Sequence, residues 1–583
     1  MHKLVIVVLM LWGDHGQTAL EGAHVCIINA TALGTEILKS LVLPSIGAFT
    51  IVDGKKVTSE DIGAKYVLMK KSCTTDNFNV AIVYLLNSFF LETDSVGKSR
   101  AQVATQMLLE LNSDVRGDYI DEEPDQILYN SPDFFNSFTV VVATCLAEKS
   151  LVLLSQKLWE LNIPLIVCRT IGFIAYMRIQ VKEHMVIETH PDNEIPDLRL
   201  DKPFETLKKH VDSVNLDALS FKDHSHVPYL IVLYKFLEKW ILSKGELPKS
   251  YKEKNQLKQM IREGMRRDEN DISNSEENFE EAVKAVNTCV GCTEIPENVT
   301  NVLNDDQCIN LTAKVLEKST VVASSSFWII AKAVKDFVEN EGGGLLPLKG
   351  TLPDMTADTE KYITLQQIYH KQAIADAEAV WRRTLQLLRQ LGKSSDSIPE
   401  RDVKLFCRHA LNIHVARGTC IADEYDSKIF DASNIGIVKS LKSTRLKLLQ
   451  NFRNIKHHVH ILQCLENPES MMIYYVVLRG VEKFQTEYNS YPGEFDDQVE
   501  PDIVKLKTCI TKLLNEWGCG PLIKDDYVHE FCRFGGAELH SVSAFLGGLA
   551  AQEVIKFVTN QYKPVHNTFI YDAVTSNSGT FFF

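Results

Sequence analysis

Residues 24–54 read HVCIINATALGTEILKSLVLPSIGAFTIVDG. An apolar, β-branched run (HVCII), a short loop, the helix-forming TEILKSLVLPSI and a second apolar run (AFTIV) spell strand, loop, helix, strand. That order frames a doubly wound nucleotide-binding fold, in which the loop after the first strand holds phosphate. Glycines in a working loop permit positive φ and leave room for phosphate against backbone N–H groups. For other L-residues the left-handed conformation costs about 1–2 kcal/mol. Here only Gly34 remains, where the helix must approach the strand, and Asn29, Thr31 and Ala32 fill the other places. The frame is kept and the part that holds phosphate is discarded. Asp53 ends the second strand, where such folds present a carboxylate to a ribose, although capping the following turn is the simpler role.

The alternation continues downstream. KSRAQVATQMLLELN and SLVLLSQKLWELN read as helices, and FTVVVAT and IPLIVCRT as buried strands. This predicts an α/β fold with a parallel sheet and crossovers on both faces. From about residue 200 to 510 the period changes to that of one-sided helices, as in FEEAVKAVNT, SFWIIAKAVKDFVEN and LQQIYHKQAIADAEAVWRRTLQLLRQL. KEKNQLKQMIREGMRRDENDISNSEENFEEA reads as a solvated helix and linker. The end returns to a helix with Gly547, Gly548, Ala550 and Ala551, small enough to sit close against a sheet, and then to the strand-like NTFIYDAV. The expected domains are 1–200 and 511–583, together one α/β domain, with 201–510 inserted as a helical domain.

Composition narrows the function. A chain of 583 residues with 45% hydrophobic and 24% charged residues is an ordinary globular protein of more than one domain. Its net charge of −14 disfavours general nucleic-acid binding and suits protein partners. Thirteen cysteines, an odd number scattered through apolar segments, read as reduced thiols of a cytoplasmic or nuclear protein. Cys289 and Cys292 have zinc-knuckle spacing but lack a second pair, so a solvated loop is the expectation and no metal site is assigned. MHKLVIVVLMLWGDHG looks like a short signal peptide, yet its apolar run from Leu4 to Trp12 is far below the ~20 residues of a membrane span. No membrane association is expected.

A resemblance sharpens this. LWGDHGQTALEGAHVCIINATALGTEIL, SVGKSRAQ, IPLIVCRTIGFIAYMRI, SSFWIIAKAVKDFVENEGGGLLPLKGTLPDMTADTEKYI and DDYVHEFCRFGGAELHSVSAFLGGLAAQEVIK resemble the regulatory subunits of heterodimeric enzymes that activate a ubiquitin-like modifier in neddylation. The resemblance covers most of the chain. It implies a Rossmann-like, ThiF-type pseudo-adenylation domain with a large, mainly helical insertion. In that family the heterodimer uses Mg-ATP to adenylate the modifier's C-terminal glycine. It then captures the modifier as a thioester and passes it to a conjugating enzyme, on the way to cullins. The catalytic subunit holds both the Mg-ATP and the thioester cysteine. This chain is therefore expected to have no catalytic residue and no cofactor of its own. Its partners would be the catalytic subunit, the Nedd-type modifier and, transiently, the conjugating enzyme.

The residues agree with a silent half. Active relatives place a metal-holding Asp after the strand that here ends in Thr144, and KKVTSEDIGAK replaces their Asn/Arg-rich triphosphate stretch. Cys168 lies in an apolar strand, where a thiol is normally inert. By the same resemblance, the stretch Leu345, Leu346, Pro347, Leu348, Lys349, Gly350, Thr351, Leu352, Pro353, Asp354 and Met355 contacts the catalytic subunit. Asp223, His224 and His226 form a polar turn read as interface or structural hydrogen bonding.

Three stretches depart from the family. Val7 stands where relatives carry an arginine that reaches the partner's ATP site, and residues 66–86 and 435–460 look inserted. Two alternatives stay open: a self-sufficient adenylating or dinucleotide-dependent enzyme, and a signalling adaptor without an activating role.

Overall fold

A computed structural model describes residues 2–59, 61, 90–91, 93–189, 195–266, 276–311, 322–425, 464, 467, 470–495, 497–517 and 523–583. The stretches 66–86 and 435–460 lie outside the described residues. Val7 falls in the helix His2–Gly22, whose backbone breaks at Gly13 with φ of 66°.

Two compact units make up the chain: Met1–His184 with Ala416–Phe583, and Met185–Val415. The insertion thus returns at 416, well before the expected 511, and leaves at 184 rather than 200. The reason is that helical periodicity marks a buried face without naming the core it faces. Helix Met472–Tyr488 and the first part of helix Val499–Glu516 fall within the 201–510 expected of the insertion, yet their apolar faces share a core with Ile171, Ile174 and Ile570 of the α/β unit.

That unit is built on a sheet of β1 (His24–Ile28), β2 (Ala48–Val52), β3 (Arg116–Ile120), β4 (Val140–Thr144), β5 (Leu165–Ile171), β6 (Ile174–Gln180), β9 (Thr568–Asp572) and β10 (Asn577–Phe581). The order is β10-β9-β6-β5-β4-β1-β2-β3, and β7 (His184–Val186) and β8 (His414–Ala416) lie outside this sheet. Strands β1 to β5 pair in parallel, whereas β6, β9 and β10 are antiparallel, so the sheet is mixed rather than wholly parallel. The polar edge strand RGDYI carries no hydrophobic alternation and escaped the sequence reading.

Period-2 alternation divides the central strands between two cores. Val25, Ile27, Val140 and Val142 face one with Leu33, Ile37 and Leu546. Cys26, Ile28, Val141 and Ala143 face the other with Leu151, Leu154 and Leu158. Each fully buried Val, Leu or Ile contributes about 1.5–3 kcal/mol against exposure.

The C-terminal return completes this sheet, with Tyr571 of β9 opposite Ala175 of β6. Helix His540–Thr559 is the one described helix long and apolar enough to cross a membrane, and 67% of its most apolar window is buried in the core. At Gly547 it approaches helix Ala32–Val42 so closely that a Cβ would lie 2.9 Å from Glu36 Cβ, while Gly548 faces open space. The small residues therefore serve a helix–helix contact as well as the sheet.

The second unit is helical. Its 32-residue helix Thr359–Gln390 contributes Leu365 and Tyr369 to one core and Ala377, Val380 and Leu388 to another.

Candidate functional site

The turn after β1 answers the question its sequence poses. Asn29 takes φ of 68°, a conformation Asn tolerates better than most residues. Its Nδ2 donates to Thr144 O at 2.7 Å, which holds the loop against the end of β4. Ala30 N donates to Asp53 Oδ2 at 2.8 Å. Thr31 caps helix Ala32–Val42, its Oγ1 accepting from Gly34 N at 3.3 Å. Leu33 N donates to Glu538 Oε2 at 3.2 Å. The amides a phosphate would require already donate to the protein's own oxygens.

Glu538 is the residue that sequence reasoning missed. It follows helix Asp525–Phe534 through Gly535 and Gly536, which take φ of 54° and 74°. This turn aims the carboxylate at the N-terminus of helix Ala32–Val42, where orphan N–H groups and the helix dipole favour negative charge. Cys145 Sγ donates to its other oxygen at 3.1 Å. The doubled glycine before Ala537 was the only sequence signal, since it marks a turn.

Burial, the largest influence, holds the Glu538 carboxyl above the ordinary range, while hydrogen bonds from Cys145, Leu33 N and Thr31 pull the other way. A raised folded-state pKa means that the folded chain binds this proton more tightly than the unfolded chain does. Ionisation therefore costs stability as pH rises from the ordinary carboxylate value through the raised one. Glu538→Gln removes that titration. The stability of the variant relative to the parent is expected to increase as pH rises from the ordinary carboxylate value through the raised one. Urea midpoints read this difference, and one independent of pH contradicts it.

Asp53 is fully buried. Its Oδ1 accepts from Lys55 N at 2.9 Å, and its Oδ2 accepts from both Ala30 N and Arg100 Nε, the latter at 2.7 Å. Arg100 Nη1 also reaches Asp61 Oδ1 at 3.1 Å. The carboxylate caps the turn and neutralises a buried arginine, and Arg100 is a second partner the sequence did not reveal.

Thr144 is likewise fully buried. Its Oγ1 lies 3.1 Å from Ile28 O and 2.9 Å from Asn29 O, carbonyls that share its one proton, and it accepts from Thr31 Oγ1 at 3.3 Å. These residues do not fit Mg-ATP: position 144 offers no carboxylate to a metal, and the loop amides are taken.

Gly34 has a packing role. A Cβ there would stand 2.5 Å from Asn29 O. Gly34→Ala is expected to destabilise the chain by about 1–3 kcal/mol, the usual cost of overpacking. An unchanged midpoint in chemical denaturation would contradict this.

Burial pushes the Cys168 thiol far up, and burial followed by the Glu538 carboxylate does the same to Cys145. Among the described residues no three His, Cys, Asp or Glu side chains converge on a metal position. Cys289 ends the helix Glu277–Cys289, and Cys292 is exposed beyond it.

The helical unit sorts the other candidates. His224 is buried, with Nδ1 2.6 Å from Glu276 Oε1 and its ring stacked on Phe279. That is a structural hydrogen bond. Asp223 and His226 are exposed. Leu345, Leu346, Pro347, Leu348 and Gly350 are buried and hold their stretch to the unit. Thr351 and Asp354 are exposed, and Lys349, Leu352, Pro353 and Met355 are half-buried, so these side chains carry what contact surface the stretch has.

The strand order, the turn and its occupied amides define an adenylation-type fold with a closed phosphate site. Residues 5–582 match the ThiF family model, and the chain belongs to that family. Within it, the chain is 46% identical over 574 residues to the NEDD8-activating enzyme E1 regulatory subunit of Danio rerio, covering 98% of this chain and 97% of that protein. It is 44% identical over 575 residues to the Drosophila melanogaster regulatory subunit, with 98% and 95% covered. Against the regulatory subunit AXR1 of Arabidopsis thaliana it is 35% identical over 573 residues, with 98% and 94% covered. It is a member of this regulatory-subunit family.

Proposed function

We infer that this chain is the non-catalytic regulatory subunit of a heterodimeric enzyme that activates a NEDD8-type ubiquitin-like modifier. The observation that carries the reading is the set of amides at Ala30, Leu33 and Gly34, each already donating to Asp53, Glu538 or Thr31. Mg-ATP, adenylation of the modifier and thioester formation belong to a catalytic partner. The chain supplies the second half of a paired adenylation fold. It also supplies a docking surface, to which Lys349, Thr351, Leu352, Pro353, Asp354, Met355, Asp223 and His226 contribute. The conjugating enzyme joins transiently, and the assembly works in the cytoplasm and nucleus without membrane attachment.

ATP–pyrophosphate exchange tests this. The purified chain alone is expected to exchange nothing. Adding the catalytic subunit and modifier is expected to restore exchange and a modifier thioester on the added subunit. Robust exchange by the isolated chain would overturn the reading in favour of a self-sufficient enzyme. Failure to pair with any catalytic subunit would favour an adaptor.

A further inference from the structure

Helix Tyr229–Lys244 and helix Tyr251–Glu263 pack on each other across the short connection 245–250, which makes them antiparallel neighbours with a common tip. The tip is held by its own hydrogen bonds. Trp240 Nε1 donates to Glu246 O at 3.1 Å, and Gly245, at φ of 81°, donates its N–H to Ile241 O at 2.7 Å. Ser250 caps the second helix: its Oγ accepts from Glu253 N at 3.2 Å, while Glu253 Oε2 accepts from Ser250 N at 2.8 Å. On this fixed frame Leu242 keeps 84% of its surface exposed and Tyr251 keeps 75%. With the exposed Ile241 they gather at one end of the hairpin, an apolar end that folding of this unit leaves uncovered.

Behind that end the hairpin is cationic. Residues 235–266 hold nine Lys or Arg against four Glu. Three of the four acids are engaged locally: Glu246 with Lys249, Glu253 in the helix cap, and Glu263 with Gln259 Nε2, which donates to it at 3.1 Å. Lys235, Lys252, Lys258 and Arg262 make no side-chain hydrogen bond or ion pair among the described residues. Helical spacing lines these cations up with the exposed apolar side chains. Tyr251, Lys258 and Arg262 stand at i, i+7 and i+11, on a stripe turned away from the buried Leu257 and Ile261. Lys235, Lys239 and Leu242 stand at i, i+4 and i+7, with Lys239 over the Phe236 ring and no counter-ion to it among the described residues. Each helix thus carries an apolar side chain at the tip and cations behind it.

The tip lies away from the contact surface assigned above. Asp223 and His226 precede the first helix, whose length puts the tip about 24 Å from them. Thr356, just past Met355, donates its N–H to Glu281 near the start of helix Glu277–Cys289, whereas Lys254 Nζ donates to Asn287 O near the end of that helix. We propose that the tip is a docking site for a short acidic segment of a partner protein. Apolar side chains at one end of the segment seat on Leu242 and Tyr251, and its carboxylates meet Lys258 and Arg262. Charge selects such a segment over an extended polyanion. Nucleic acid or an anionic bilayer would also meet the rest of a chain whose net charge is −14. A short segment meets only the cations within a Debye length, about 10 Å at 0.1 M salt. The proposal goes beyond the modifier-activating reading and stands whether or not that reading does.

The test uses the full chain and a fluorescein-labelled Phe-Leu-Glu-Asp-Glu-Glu-Asp peptide, read by anisotropy at low salt. One control peptide replaces every acid by its amide, and a second replaces Phe and Leu by Ser. The probe is expected to bind at least tenfold more tightly than the amide control and at least fivefold more tightly than the serine control. Arg262→Glu, and separately the pair Leu242→Ser and Tyr251→Ser, are each expected to weaken it at least fivefold. Arg401→Glu makes the same charge change in the same unit at an exposed side chain outside the hairpin, and is expected to leave binding within about twofold. Thermal melts of the variants establish that they fold, and the comparison of peptides on the parent chain needs no variant at all. Binding as tight by either control peptide overturns the proposal. So does equal weakening by Arg401→Glu and Arg262→Glu, or no saturable binding below about 1 mM. A labelled hexauridylate that binds as tightly as the probe overturns it in favour of phosphate charge. Co-sedimentation with phosphatidylserine vesicles that is lost in the Leu242→Ser, Tyr251→Ser variant overturns it in favour of a lipid surface.

Discussion

Thr144→Asp, which restores the carboxylate that active relatives carry, is expected to destabilise the chain without conferring ATP binding. The side chain at 144 has no exposure, and its Oγ1 meets two acceptors, Ile28 O and Asn29 O, and one neutral donor, Thr31 Oγ1 at 3.3 Å. A hydroxyl satisfies the acceptors by donating. A carboxylate would confront two carbonyl dipoles with like charge, with only the Thr31 hydroxyl to donate to it among the described residues and no ion pair to offset the charge. An unpaired buried charge of this kind costs about 3–5 kcal/mol. The new group relieves the cost by holding its proton, so its folded-state pKa rises above the unfolded value. Stability should then be nearly normal at low pH and lost as pH rises through the raised pKa. Urea midpoints at acidic and mildly alkaline pH read this loss. Calorimetry with Mg-ATP should show no binding, since Ala30 N, Leu33 N and Gly34 N remain committed. A variant as stable as the parent at alkaline pH that also binds Mg-ATP would refute both halves of the argument.

Glu424→Ala should be as damaging, for a reason unrelated to nucleotide. Residues 421–425 return the chain to the α/β unit, where Ile421 N donates to Gln180 Oε1 at 2.8 Å and Ala422 N to Ser155 Oγ at 2.9 Å. Glu424 then meets Arg178, a strand residue with no exposure, whose Nε and Nη2 donate to Glu424 Oε1 at 2.8 and 2.5 Å. Tyr475 OH donates to the other oxygen at 3.0 Å. Arg479 stands beside them, its Nη1 3.1 Å from Tyr475 OH and its Nε 3.1 Å from Glu482 Oε2. Glu482 Oε1 in turn meets Arg169 Nη1 at 3.2 Å.

Three buried arginines share two buried glutamates here, so neither glutamate is redundant. Truncating Glu424 leaves Arg178 without a counter-ion, and breaking a buried pair from one side costs about 3–5 kcal/mol. Glu424→Gln keeps the oxygen acceptor but loses the charge, and is expected to cost less. Urea midpoints rank the two variants, and limited proteolysis near 421–425 should quicken in the alanine variant first. Full stability of Glu424→Ala would show that the cluster is not holding the return segment.

The fold was legible in particular stretches. HVCII, AFTIV, FTVVVAT and IPLIVCRT carry continuous β-branched and apolar runs because parallel strands are buried on both faces. Edge strand β3 was not legible, because half-exposed edge residues need no such run. The antiparallel direction of β6 was equally hidden, because burial on both faces looks the same whichever way a neighbour runs. Loss of the phosphate glycines was visible at Asn29, Thr31 and Ala32. What took their place was not, because Glu538 lies about 500 residues away in sequence, and only the closing of the sheet by β9 and its preceding helix brings it to the turn.

Local sequence thus determined the strand–loop–helix frame, the loss of the phosphate-loop glycines at residues 29–32 and the single glycine at 34, because residue identity and hydrophobic period are properties of neighbouring residues. Tertiary structure alone decided which core helices 472–488 and 499–516 belong to. It also decided that Asp53 serves Arg100, and that a glutamate from the far end of the chain fills the anion position. Charge pairing and burial depend on residues brought together across hundreds of positions, and nothing in a window of sequence records that meeting.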